Sequence, residues 1–191
     1  MPLWLPIGPV ATELLNDSPL ALLVGMVLDQ QVTMEKAFSS PFVLQERLGH
    51  PLDARELASF DADALTEIFS ARPALHRFPR ANAKRVQEVC QVLVERYDGD
   101  PARLWTEAKT GAELFQRVSG LPGFGRQKTQ IFVALLGKRF GVRPKGWREA
   151  AGSYGDAGIY HSVADVTDED SLGRVRVHKQ QMKAAAKADA G

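Results

Sequence analysis

The stretch Ser119–Gly141, "SGLPGFGRQKTQIFVALLGKRFG", sets three glycines and a proline into the six residues Gly120 to Gly125, directly ahead of a long apolar run. A plain connection between two helices needs one glycine at most. Glycines this dense let something approach the backbone with no Cβ in the way. Upstream, Thr110 followed by Glu113 reads as a capping box for a helix over "GAELFQRV". Downstream, the spacing predicts a helix from Arg126 to Phe140. The orphan N–H groups and the positive dipole end of that second helix favour a phosphate. Arg126 and Lys128 add charge to its first turn. The turn therefore reads as a sequence-independent grip on a nucleic-acid backbone through Gly123, Gly125, Arg126 and Lys128. The plainer alternative is a solvated turn between two packed helices, anchored by Leu121 and Phe124.

The rest of the chain also reads as helical. No segment alternates convincingly with period two, so the pattern predicts an all-α fold. Asp17 or Ser18 is placed to cap a helix over "PLALLVGMVL", and Pro19 suits its first position. That segment is apolar nearly all round, the mark of a central buried helix, and it gives way abruptly to Asp29, Gln30 and Gln31. "TMEKAFSSPFVLQERLG" continues as helix, broken near Pro41. Asp61 caps "ADALTEIFS", "RANAKRVQEVCQVLVERY" has helical spacing, and Asp100 with Pro101 starts a short helix. After Gly141, "VRPKGWREAAGSYGDAGIYH" is glycine-rich and weakly periodic, and a last helix with a basic tail follows from "DEDSLGRVRV" onward.

A chain of 191 residues suffices for one domain with a real core, or two small lobes. A net charge of +1 excludes a polycation, so nucleic-acid binding has to come from a local basic patch. The single cysteine, Cys90, excludes an internal disulfide and a four-cysteine metal or iron–sulfur site, and on an apolar face it reads as a buried thiol. The start "MPLWLPIGP" lacks the basic region of a leader, and Pro19–Leu28 is too short to span a bilayer. The expectation is a monomeric, cytoplasmic, nucleoid-associated protein with no membrane partner.

"LPGFGRQK" resembles the helix-hairpin-helix of the base-excision DNA glycosylase superfamily that combines this motif with a Gly/Pro-rich loop and an aspartate. "LLVGMVLDQQVT" is similar to that superfamily's apolar helix with its glutamine turn, and "PALHRFPRANAKRVQEVCQVLVERYDGD" to its loop and basic helix start. The match covers Pro19 to Gly141 and is closest to the alkylated-base branch. It implies one two-lobed helical unit over 1–191, with a first lobe over about 19–110 and a second made of 1–18 and 111–191. The hairpin, 119–126, would stand at the cleft between them, and the partner would be double-stranded DNA with a damaged base. Gln31 falls where the family places a wedge that fills the stack vacated by a flipped base. The carbonyls of Ser119, Leu121 and Phe124 match those that hold a sodium or potassium ion in the family; no other cofactor is implied. Arg77, Arg80, Lys84 and Arg85 either extend the phosphate track or form a solvated face.

The resemblance breaks at the catalytic residue. The family's aspartate, which stabilises positive charge on the sugar, lies about twenty residues past the hairpin. An ungapped count lands on or beside Lys145, and no acid occurs from Gly141 to Arg148. The lysine nucleophile of bifunctional members is replaced by Gln127, with Lys128 one step on and turned by about 100°. Asp29, Asp156 and Asp165 are the candidate replacements for the carboxylate, and Trp147, Tyr154 and Tyr160 are candidates to stack on an extruded base. The resemblance thus implies a monofunctional glycosylase acting on a modified, alkylated base. The alternative is a non-catalytic protein of the same fold that binds damaged or distorted DNA.

Overall fold

The computed structural model describes residues 2–188. Among them the regular structure is helical throughout and no strand forms, as the missing period-two alternation predicts. In chain order the helices are α1 (Pro9–Asp17), α2 (Pro19–Leu28), α3 (Met34–Leu48), α4 (Ala54–Ser59), α5 (Ala62–Ser70), α6 (Pro79–Tyr97), α7 (Arg103–Thr106), α8 (Gly111–Ser119), α9 (Arg126–Arg139), α10 (Trp147–Ala151) and α11 (Glu169–Ala188). Short 3-10 turns occupy Gly152–Gly155 and Val163–Asp165.

Local chemistry sets these boundaries. Ser18, not Asp17, caps α2: its hydroxyl accepts the Ala21 N–H at 3.2 Å, and Pro19 takes the first position, where an N–H would be orphaned anyway. All residues from Leu20 to Leu28 are buried. Contrary to expectation, α3 runs unbroken through Pro41. Ser40 and Pro41 are buried, and the Ser40 hydroxyl lies 2.7 Å from both the Lys36 and Leu75 carbonyls. Tertiary burial outweighs the one hydrogen bond that proline removes. The capping box of α8 is half formed. Thr110 accepts the Glu113 N–H at 3.1 Å, but the Glu113 carboxylate takes the amide of Lys109 instead of that of Thr110. The short helices α1, α4 and α10 are additions to the sequence reading.

α1 packs on α2 and α3; α4 and α5 pack on α6, which also meets α2. α8, α9 and α10 pack on one another, both 3-10 turns lie against α9, and α11 docks on Val163–Asp165. α10 approaches so closely that a Cβ at Gly137 of α9 would stand 2.3 Å from the Trp147 ring. Among the described residues no single helix is long and apolar enough to cross a membrane.

Candidate nucleic-acid interface

The turn between α8 and α9 is built on buried anchors. Leu121 and Phe124 are buried, with Phe124 against Phe132 at 6.0 Å between ring centroids. The Phe124 N–H donates to the Leu121 carbonyl at 3.1 Å, which closes the turn. Gly123 has φ +83°, a conformation that suits glycine. Gly125 stands at the N-cap of α9 with no side chain capping the helix and nothing within 4 Å of where its Cβ would be. The first-turn amides of α9 thus end at an open, exposed backbone.

Three segments far apart in sequence converge beside this turn. Gln30 and Gln31 follow α2 in a tight turn, with Gln31 exposed and left-handed at φ +58°. Such a conformation is uncommon for a non-glycine residue. The Gln30 N–H bonds to the Leu28 carbonyl at 2.7 Å, and the Gln30 carbonyl meets His76 Nε2 at 2.8 Å. From α6, Arg85 reaches the Gln30 side chain at 3.4 Å, and its aliphatic stem lies 2.5 Å from where a Cβ on Gly123 would be. From α9, Lys128 donates to the Val27 carbonyl at 2.9 Å, at the C-terminal end of α2.

The electrostatics follow from this convergence. Burial pushes the Lys128 amine down to about 8, with Arg85 acting in the same direction and Asp29 against it. Lys128 is thus withdrawn from the solvated position the sequence reading gave it and ties α9 to α2. His76 is buried. Its Nδ1 accepts the Phe78 N–H at 3.0 Å, so the proton sits on Nε2 and is donated to Gln30. Burial chiefly, and the cations Lys128 and Arg85 in addition, hold this imidazole below its ordinary pKa, against the pull of the Gln30 and Leu28 carbonyls.

The other sequence candidates are distributed differently. Arg126 is exposed beside the turn and lines a groove of about 740 Å³ between α8, α9 and α10, with Lys145 and Glu149 on its wall. Arg80 and Lys84 point toward α5 and border a separate groove of about 600 Å³, together with Phe78, which is 45% exposed. Trp147 is buried between Gly137 and the Arg148 guanidinium, so it offers no free face for a base. Tyr160 is half-buried, with the Arg174 guanidinium 4.8 Å over its ring. Asp165 accepts the amides of His161 and Ser162 and pairs with Lys138 at 2.6 Å. The Asp156 carbonyl meets the same Lys138 amine. Lys138 lies ten residues along α9 from Lys128, about 15 Å along the axis. Asp29 is the one acidic candidate beside the glutamine turn.

Gln127 donates to the Tyr154 hydroxyl at 2.8 Å. Tyr154 meets His161 edge to face, and His161 stacks on His178 of α11 at 4.0 Å. His76 carried no motif, and its role follows only from folding. Phe78 carried a legible signal, an aromatic between two arginines ahead of Pro79. Among the described residues no group of three or more His, Cys, Asp or Glu is arranged to hold a metal ion. No protein-family model, curated protein or solved structure matches the chain.

Proposed function

We propose that this chain binds duplex DNA at a damaged nucleotide and acts as a monofunctional glycosylase on an alkylated base. The observation that carries the reading is the convergence of the Gln30–Gln31 turn, Arg85, the glycine turn and Lys128, from segments up to 101 residues apart. In this reading α8, the turn and α9 are a helix-hairpin-helix. The amides beginning α9 receive a phosphate, and Arg85 and Arg126 flank it. Gln31, exposed at the tip of its turn, fills the stack left by the extruded base. α2–α6 form one lobe and α8–α11 the other, with the convergence at the cleft between them; α1, expected in the second lobe with the rest of 1–18, packs on α2 and α3 of the first instead. A sodium or potassium ion at the hairpin belongs to this reading. The Leu121 carbonyl accepts one hydrogen bond, from Phe124, and keeps a lone pair, so it would hold the ion together with the carbonyls of Ser119 and Phe124. When bound, the ion supplies positive charge toward a phosphate.

Asp29 is the carboxylate assigned to the sugar's developing charge. It works beside two cations, Lys128 and Arg85, which oppose an oxocarbenium ion. Such a site suits a base that leaves readily, and a cationic alkylated base does. Strand cleavage by a lysine is not expected, because Gln127 is held by Tyr154 and the Lys128 amine by the Val27 carbonyl.

The test uses duplexes carrying alkylated, deaminated or oxidised bases, with and without hot alkali, and with borohydride. Alkali-dependent breaks at alkylated sites, slowed about 10²-fold by Asp29→Asn, are expected. Covalent trapping lost in Lys128→Ala would make the protein a lyase. The second reading, a non-catalytic binder, draws on the groove walled by Arg126 and Lys145, where Glu149 is the one acid. Tight binding to abasic duplex without release of any base would establish it.

A further inference from the structure

The end of α11 packs on nothing. Leu172 and Val175 bury its first half, Arg176 pairs with Glu35, and His178 stacks on His161. From Lys179 to Ala188 all residues are exposed, although the segment remains helical. A helix this short is marginal in water without packing. Lys179, Lys183 and Lys187 recur every fourth residue, so they share one face and stand about 6 Å apart along the axis. None of the three has an ion-pair partner among the described residues. No acid occurs from Ser171 to Ala188. Like charges at this spacing repel and weaken an isolated helix, so the arrangement calls for a polyanion running along it.

The arm's root identifies the polyanion. Arg176 lies next to the lysine face and pairs with Glu35, four residues after Gln31. His178 connects through His161 and Tyr154 to Gln127 at the start of α9. The arm therefore leaves the body of the protein beside the glutamine turn and the open end of α9. We infer that Lys179, Lys183 and Lys187 form a basic arm that lies along the phosphate backbone of the duplex flanking the damaged nucleotide and lengthens its footprint. This rests on the DNA-binding reading above.

The experiment measures Kd against salt for a 20-base-pair duplex with a central abasic analogue. It compares the intact chain with Gly125→Asp, with Lys179→Glu, Lys183→Glu and Lys187→Glu combined, and with the corresponding three Lys→Arg changes. Circular dichroism and thermal unfolding confirm that each folds; the acidic triple changes only exposed side chains. The triple Glu variant should have a salt slope shallower by about 2–3 units and bind at least about tenfold more weakly at 0.1 M salt. The triple Arg variant should match the intact chain, and helicity should rise when duplex is added to the intact chain. If Gly125→Asp loses affinity while the Glu triple keeps both slope and affinity, the arm is refuted and the hairpin reading stands. If the Glu triple loses slope while Gly125→Asp binds normally, the arm stands and the hairpin reading fails. If the intact chain binds phosphatidylserine vesicles through these lysines and does not bind duplex, the inference is overturned.

Discussion

Lys128 illustrates how a single residue changes meaning on folding. In the sequence it is a basic residue in the first turn of a helix, a natural phosphate ligand. In the structure it supplies a hydrogen bond to a carbonyl at the C-terminal end of α2, where carbonyls lack intrahelical donors and the dipole is negative. Val27 lies 101 residues away, so no local pattern discloses the tie. The tie has a pH signature. The amine titrates near 8 when folded and near its ordinary 10.5 when unfolded. Over that window the native state binds fewer protons, so this group adds stability as pH rises from about 8 and loses it as pH falls back. Denaturant unfolding at pH 8 and pH 10 should show the wild type gaining on Lys128→Met at the higher pH. A constant difference between the two proteins would mean that the amine is not desolvated.

At the level of elements, α9 separates cleanly into ends with different duties. Its N-terminus is uncapped and open at Gly125. An aspartate there has room for its Cβ and is a better N-cap than glycine. Gly125→Asp should therefore leave thermal stability unchanged or raise it by a few tenths of a kcal/mol. It should also weaken duplex binding by about 1–3 kcal/mol, because the acid competes for the amides a phosphate needs. Loss of stability together with affinity would mean that the turn merely holds the fold. This end of α9 was legible in the sequence because glycine, proline and caps are local signals. The body of the helix was legible from its apolar run. The continuity of α3 through Pro41 was not, since it depends on burial against the rest of the core. α4 and α10, at six and five residues, are too short to display a period.

At the level of the whole molecule, the sequence disclosed which segments were special, but not how they meet. The glycine turn, the glutamine turn and the basic start of α6 each stood out alone. Their convergence needed the path of the chain, and it selects Arg85, not its neighbour Lys84, as the arginine that reaches the turn. The same path separates the acids. Asp165 is consumed by a turn and by Lys138, and Asp156 is placed beside that lysine by its backbone carbonyl, whereas Asp29 stays with the glutamines. Carboxylates that look equivalent in a string differ once each is seen with its partners.

The buried imidazole of His76 has one further consequence. Its Nε2 proton holds the glutamine turn and its Nδ1 lone pair receives the Phe78 amide, so two surface features share a single fuse. A second proton on the ring would set Nδ1–H against the Phe78 N–H, and the imidazolium would be repelled by the cations Lys128 and Arg85. Because the folded pKa lies below 6.5, the group's stabilising contribution is complete above 6.5 and drains away as pH falls through the folded value. Gln31 and Phe78, 47 residues apart in the chain, should then come loose together. In an acid titration followed by NMR, their amides should shift with one common midpoint below 6.5, and two separate midpoints would mean that the ring does not couple them.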